Sequence, residues 1–500
     1  MTETSSIGTV VSDSECPTFE RVRVKLKAGC DLKPGALVKI PTDRTDGGLL
    51  IGRVQGAHEW NPNEQPDAVG VRDTLNIPRN YPREEDSTTI YRVAEVELIE
   101  ELIEGETRAP ETLPNAGADV FAADVEEIVH SLGLAEPGSP CLMIGHTATG
   151  TKTEIRLKRE IIQRHLFICG TTGSGKSYSM GVVAEELVDQ GLPIVFIDTQ
   201  DEYSAIVEKL GGQVLTPGKD FTLRISSLTE QEVLDLVPTD SDLHKNMIGI
   251  AYNELWDELK AKKRTRFLVA DLVDRIRTIG PRVTNSTSSV DLAARRTAIL
   301  ERMDIFGDGE DRANWPKLMT PCLAIKCKHL TMNRLQTVAT AVLRELQNLR
   351  LDGFIPPYVA VVDEAHLFVP DGDGSPCKQI IREGVRIGRH HGICMVLLTQ
   401  SPVDIDKRAI RQCNTRMVFA LEPDQLDAIR GVKADASEEM LRALPKMPRG
   451  TCVLSGTYES IKHAIPVRIR QRKHKESEGG KAPPIFEEMA NKWLNPSRRI

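Results

Sequence analysis

No apolar run in this chain approaches the ~20 residues that a membrane-spanning helix needs, so no membrane segment is expected. The first residues, MTETSSIGTV, have neither the basic flank nor the apolar stretch of a secretory signal. None of the ten cysteines forms a CxxC pair. The nearest spacing, Cys322-x4-Cys327, lacks a second half. Zinc modules and disulfide scaffolds are thereby excluded, and reduced thiols in a cytoplasmic protein are expected. Aromatic residues make up only 4%. They are not interleaved with basic ones, so the stacking signature of a single-strand binder is missing. No internal repeat is present, which argues against a solenoid.

What is present is a 500-residue chain with 40% apolar and 27% charged residues. That length suits two to four domains and a large core without staples. The net charge of −8 hides an asymmetry. Residues 1–160 carry 28 acidic and 17 basic side chains, whereas the remainder carries 44 and 47. Net charge speaks to solubility and steering, so an acidic total does not exclude a local DNA-binding groove.

Residues 1–17 read as a disordered leader. From Phe19, FERVRVKL, ALVKI, LLIGRV and YRVAEVELIEEL alternate apolar and polar positions between turns. This pattern predicts a small β-barrel domain over 18–145, with a polar loop at 61–88, a linker at 105–118 and a short helix at 124–134. CLMIGHTA (141–148) is one further strand. Apolar runs then alternate with helical spacing, which predicts an α/β core with a parallel sheet over 146–227 and 313–472. A helical insertion over 228–312 interrupts it. GTCVLSG and HAIPVRIRQ read as edge strands. Residues 473–500 form a charged tail ending in a helix near 485–494.

Within that core, GTTGSGKS (170–177) fits GxxxxGK[ST] between an apolar strand and a helix. Gly170, Thr171, Thr172, Gly173, Ser174 and Gly175 would turn backbone N–H groups around phosphate oxygens. Lys176 would reach the β- and γ-phosphates, and Ser177 would offer its hydroxyl to Mg2+. YVAVVDEAH places Asp363 and Glu364 at a strand end, the first suited to Mg2+ and the second to polarising an attacking water. His366 is open between coupling and packing. Gln400 ends ICMVLLTQ, where it can sense the γ-phosphate. Asp198 and Glu202, in VFIDTQDEY, reach the same crevice if the sheet order brings their strand alongside. Arg382, Arg386 and Arg389 in REGVRIGRHHG, and Arg164 before the first core strand, are candidates for transition-state charge. KAKKRTR (260–266) and Arg295–Arg296 are the densest basic patches. They could track phosphates, but also read as a solvated helix end.

RHLFICGTTGSGKS, VFIDTQDEY, VVDEAHLF, REGVRIGRHHG, LLTQ and QCNTRMVF occur in this order. On these motifs the chain resembles HerA-type ATPases, relatives of the FtsK-like DNA translocases, over about 155–470, and more loosely over 19–145. The resemblance implies a RecA-like ATPase core with a helical insertion and an N-terminal β-barrel. It implies ATP and Mg2+ as cofactors and a hexameric ring threading double-stranded DNA. A nuclease or other effector partner is implied too, in DNA end processing or defence against phage. Carried over by residue, Lys176 and Ser177 match the nucleotide and Mg2+ ligands and Glu364 the catalytic carboxylate. Arg389 matches the trans-acting arginine, Arg164 the arginine before the phosphate loop and Asp198 the acidic strand end. The chain departs from the pattern at Ser401, where Gln-Arg-Pro is common, and at His390, where a lysine is common. Three functions follow as expectations: a DNA-translocating motor, a regulatory ATPase ring that activates an effector, and a conjugation or secretion ATPase, which would require membrane attachment.

Overall fold

The computed structural model describes residues 5–474 apart from 13–15, 31, 45–46, 61–90, 104, 311, 313, 373–374, 432–434 and 458. The expected 61–88 loop and C-terminal helix therefore lie outside the described residues. Strict alternation builds the first sheet: RVRVKL buries Val22, Val24 and Leu26 and turns its basic residues outward. Its strands are β1 (Gly8–Val11), β2 (Arg21–Leu26), β3 (Leu37–Pro41), β4 (Leu49–Trp60), β5 (Tyr91–Ile103), β6 (Glu106–Arg108) and β7 (Asp119–Ala122). The order is β2-β1-β7-β3-β4-β5, and β5 pairs back onto β2. Six strands thus close into a barrel without a free edge, with β6 appended to β5. The leader expectation is corrected here: β1 lies within residues 1–17 and bridges β2 and β7, so the barrel cannot close without it.

The second sheet has eleven strands: β8 (Cys141–Thr147), β9 (Glu154–Lys158), β10 (Leu166–Cys169), β11 (Ile194–Asp198), β12 (Gln213–Leu215), β13 (Cys322–Lys326), β14 (Tyr358–Val362), β15 (Ile393–Thr399), β16 (Thr415–Val418), β17 (Thr451–Gly456) and β18 (Ile465–Ile469). Its order is β12-β13-β11-β14-β15-β10-β16-β17-β18-β8-β9. The pairings from β12 to β16 are parallel and those from β16 to β9 antiparallel. The parallel strands are continuous apolar runs because helices cover both faces, and β11, β14 and β15 are buried at every position. β17 and β18 were expected at an edge. They lie inside the sheet, because the β8–β9 hairpin pairs beyond them. The boundary expected at residue 145 falls within β8, which joins this sheet and not the barrel.

Helix α1 (Lys176–Asp189) follows β10. The insertion comprises α2 (Glu230–Leu236), α3 (Asp242–Lys260), α4 (Val269–Val283) and α5 (Thr287–Thr297). Thr229 caps α2 in a reciprocal box with Glu232, and Ser241 and Ser286 cap α3 and α5. The apolar faces of these helices, including Ile248, Tyr252, Leu272 and Ile276, share one core with Phe167, Val195 and Leu397 of the sheet. Helices α6 (Met332–Leu351) and α7 (Cys377–His391) complete that layer. Among the described residues no helix is long and apolar enough to cross a membrane, and all ten cysteines are free.

The barrel is tied to the core by a buried ionic cluster. Arg53 on β4, only 1% exposed, pairs with Glu97 at 2.7 Å and Asp435 at 3.2 Å, and donates to the Ala464 carbonyl at 3.1 Å. His463 stands 3.2 Å from both Glu100 and Asp435, and Lys462 stands 3.6 Å from Glu100. Burial alone would lower the His463 pKa, but Asp435 and Glu100 outweigh it and raise the pKa above its usual 6.5. A group raised on folding stabilises below its unfolded pKa and loses that contribution as pH rises through the folded value. Thermal stability is therefore expected to fall as pH rises from 6 towards 9, and His463→Gln to flatten that slope. Thermal unfolding followed across this range at constant ionic strength measures both.

Candidate active site

The residues that matter leave the sheet at the carboxyl ends of β10, β11, β14 and β15, where an open α/β sheet forms its crevice. Residues 170–175 turn from β10 into α1. Gly173 and Gly175 have φ of 76° and 117°, a region that disfavours side chains. A Cβ on Gly175 would also stand 3.1 Å from the Gly450 backbone. Lys176 folds back over the loop, donating to the carbonyls of Gly170 at 2.7 Å and Thr171 at 3.1 Å. Burial lowers its pKa, against the opposing pull of Glu364, Asp363 and Glu202.

Asp363 follows the fully buried β14 and is only 4% exposed. Its Oδ2 accepts a hydrogen bond from the Thr199 hydroxyl at 2.9 Å. Burial pushes its carboxyl well above the usual carboxylate range, and the charges of Glu364, Glu202 and Asp198 add to that push. Glu364 adopts φ 48° and ψ 51°. A non-glycine residue there carries about 1–3 kcal/mol of backbone strain, a feature concentrated at functional sites. Its carboxylate accepts from the Gln400 side-chain amide, whose oxygen accepts from the Thr172 hydroxyl. A hydrogen-bonded chain thus runs from the loop through Gln400 to Glu364. His366 completes this corner, with Nδ1 3.1 Å from the Thr399 hydroxyl and 3.4 Å from Glu364.

The two acids of VFIDTQDEY separate. Glu202 enters the site, where it accepts from the Ser177 hydroxyl. Asp198 does not: its carboxylate is consumed by the N–H groups of Gln200 at 3.3 Å, Glu202 at 3.1 Å and Tyr203 at 3.0 Å. It caps the turn that carries Glu202, so its place in the crevice is corrected to a supporting one. Thr199 was missed by sequence reasoning, since a threonine at a strand end carries no distinctive signal.

The oxygen donors Ser177, Glu202 and Asp363 suit a hard cation. Among the described residues, no group of three or more His, Cys, Asp or Glu side chains could hold a metal unaided. That combination fits Mg2+, which takes few protein ligands and completes its shell with water and phosphate oxygens.

The arginines lie elsewhere. In α7 the buried positions Cys377, Ile380, Ile381, Gly384, Val385 and Gly388 recur at helical spacing, which turns Arg386 and Arg389 to the exposed side. Neither forms an ion pair among the described residues. Arg382 is engaged with Asp406 at 2.6 Å. Arg164 was expected in the crevice of its own chain. Instead it precedes β10, at the opposite end of that strand from residues 170–177, and pairs with Glu459. Arg389 shares that far end, because α7 ends just before β15 begins. β15 has seven residues, which at ~3.3 Å per residue spans about 20 Å, well beyond the reach of an arginine side chain.

A residue that sequence reasoning overlooked ties the segment that carries Arg164 to α7 and β15. His165 has φ 64° and is buried. Its Nε2–H donates to the Val385 carbonyl of α7 at 2.9 Å, and its Nδ1 accepts the Met395 N–H of β15 at 3.0 Å. Burial pushes its pKa down to about 4 despite the Val385 bond, so the ring is neutral near pH 7 and this tautomer is kept. Gly388 leaves room for it, since a Cβ there would meet His165 Cε1 at 3.1 Å.

The basic patches are largely engaged within the chain. Arg264 pairs with Glu258 at 2.9 Å and Asp271 at 3.4 Å, Arg266 with Asp308 at 3.0 Å, and Arg296 donates to Thr239 at 2.8 Å. Lys262 and Lys263 remain exposed. The Ser401 hydroxyl bonds Asp404, and its backbone N–H donates to the Thr399 hydroxyl at 3.0 Å.

Comparison with known proteins bears out the resemblance drawn from the motifs. Residues 142–344 match the family described as the helicase HerA central domain. A probable helicase of Methanocaldococcus jannaschii is 24% identical, with 93% of this chain and 91% of that protein aligned. The DNA double-strand break repair helicase HerA of Sulfolobus acidocaldarius is 21% identical over 89% of this chain and 90% of its own length. HerA of Pyrococcus furiosus is 21% identical over 88% of each. The solved structure of VirB4 from Thermoanaerobacter pseudethanolicus superposes with a TM-score of 0.53 over 68% of this chain and 99% of its own, at 16% identity. That likeness concerns the fold: a RecA-like P-loop ATPase core, here with a helical insertion and an N-terminal six-stranded barrel.

Proposed function

We propose that this HerA-type chain is an ATP-driven translocase on double-stranded DNA that works as a homo-hexameric ring. The observation that carries the reading is the division of these residues between the two ends of the parallel strands. The loop 170–177, Asp363, Glu364 and Gln400 gather at the carboxyl ends of the strands, and Arg164 and Arg389 stand at the amino ends. No subunit brings an arginine of this group to its own site, whereas a ring that sets the amino ends of one subunit's strands against the carboxyl ends of the next would do so.

In this reading the N–H groups of 170–177 and Lys176 bind the triphosphate. Ser177 and Asp363, with Glu202 beside them, would hold Mg2+, which when bound would offset phosphate charge. Glu364 accepts a proton from the attacking water, Gln400 keeps its carboxylate aimed, and Arg389 of a neighbouring subunit stabilises the charge that develops on the γ-phosphate. DNA passes through the ring, held by backbone charge and not by base reading. The acidic barrel provides a docking face for a nuclease or other effector with a basic surface, in DNA end processing or phage defence.

The test is electron microscopy with a non-hydrolysable ATP analogue and duplex DNA, paired with ATPase rates with and without that duplex. Six-membered rings around DNA and a duplex-stimulated rate are expected. A protein that stays monomeric with ATP and DNA, and whose rate ignores duplex, defeats the proposal. A regulatory ring is distinguished by effector activation that survives in Glu364→Gln.

A further inference from the structure

A nucleotide held by residues 170–177 has a direction on this sheet. Glu364 and Gln400, at the ends of β14 and β15, mark the γ-phosphate side. β10 lies between β15 and β16, so the α-phosphate and nucleoside leave the loop on the other side, towards β16–β18 and the first turn of α1. Tyr178 stands there, the third residue of α1. It is 39% exposed, in a chain with few aromatic residues.

Its ring is held in place. The Tyr178 hydroxyl accepts the Arg472 backbone N–H at 2.8 Å, and the Arg472 guanidinium lies 4.6 Å from the ring centroid. Arg472 comes from the segment after β18 and is itself only 9% exposed. Its Nη2 donates to the Ser177 carbonyl at 2.6 Å and its Nε to the Tyr178 carbonyl at 3.0 Å. Gly181 makes that approach possible, since a Cβ there would stand 2.3 Å from the guanidinium. The same segment is fastened along α1. Arg470 pairs with Glu185 at 2.9 Å and Glu186 at 2.7 Å, and the N–H groups of Lys473 and His474 donate to Glu185 at 3.0 and 2.9 Å.

A partly exposed aromatic ring fixed at its tip and backed by a cation pays little ordering entropy when a flat ligand stacks on it. We infer that Tyr178 is the stacking platform for the base of the bound nucleoside triphosphate, and that Arg472 is the positioning residue that holds it. The inference rests on the nucleotide-cradle reading above and extends it to the nucleoside. It also gives the C-terminal segment a direct connection to nucleotide binding.

Calorimetric titration of the full chain with ATP and with inorganic tripolyphosphate, both with Mg2+, tests it. Tripolyphosphate engages the cradle but has no base to stack. Tyr178→Ala is expected to weaken ATP binding about tenfold, the scale of one lost base–aromatic stack, and to leave tripolyphosphate affinity within about twofold. Tyr178→Phe should retain most of the lost affinity. Arg472→Ala should weaken ATP selectively in the wild-type background and add little in the Tyr178→Ala background, as expected of a residue acting through the ring. Unchanged ATP affinity in Tyr178→Ala, or an equal loss for both ligands, overturns the platform while the cradle stands. Wild-type protein that binds neither ligand overturns the cradle reading, and the platform with it.

Discussion

Glu364→Gln is expected to lower ATP turnover by about 10²–10⁴-fold, the contribution of a positioned general base, while ATP still binds. The carboxylate stands at the end of a hydrogen-bonded chain that begins in the phosphate loop at Thr172 and passes through Gln400. Glutamine keeps the shape of the side chain and can still meet the Gln400 amide through its own oxygen. What it cannot do is accept a proton from water. Steady-state ATPase rates together with equilibrium ATP binding separate the two effects. A variant that turns over normally would move the base elsewhere, and one that loses binding would give Glu364 a structural role. The strained φ of 48° at this position supports the first expectation, since a residue kept there only for packing could relax into a commoner conformation.

Arg389→Ala is expected to bind ATP with little change and to lose about 10³–10⁵-fold in turnover, the range assigned to an arginine supplied in trans. The physical reason is distance. Arg389 lies at the opposite end of a strand of about 20 Å from Gln400, out of reach of its own chain's site, and the proposed ring would set it at a neighbour's. Mixing gives the decisive measurement. Arg389→Ala and Glu364→Gln subunits, each inactive alone, should recover part of the activity when co-assembled, because an intact Glu364 then faces an intact Arg389. An arginine acting within its own chain allows no such recovery. If Arg389→Ala retains turnover, Arg386 is the next candidate, because Arg382 is already bound to Asp406.

Much of this site was legible in the sequence because its chemistry is local. Gly173, Gly175, Lys176 and Ser177 act through spacing along one turn, and Asp363–Glu364 and Gln400 each end an apolar run that can only be a buried strand. The misjudged residues share a different property. Asp198 and Glu202 look alike in VFIDTQDEY, yet one caps a turn and the other reaches Ser177. That choice depends on which N–H groups the turn leaves open. Arg164 stands only six residues before Gly170, and a reader of the chain places it beside the loop. The strand between them carries it to the far end of the sheet's strands.

By itself the sequence determined the periodicities, hence a barrel of alternating strands and a core of buried parallel ones, and it determined the phosphate loop and the strand-end acids. These follow from side-chain pattern and backbone sterics over a few residues. Only the tertiary structure decided what lies across the sheet order. It brought β1 in to close the barrel, set β8 beside β18 and placed Arg472 against Tyr178, 294 residues away along the chain. It also used His165 to tie the segment after Arg164 to α7 and β15. Such pairings are selected by the packing of the whole chain, because a buried ring, carbonyl or carboxylate must find its partner wherever the fold presents one.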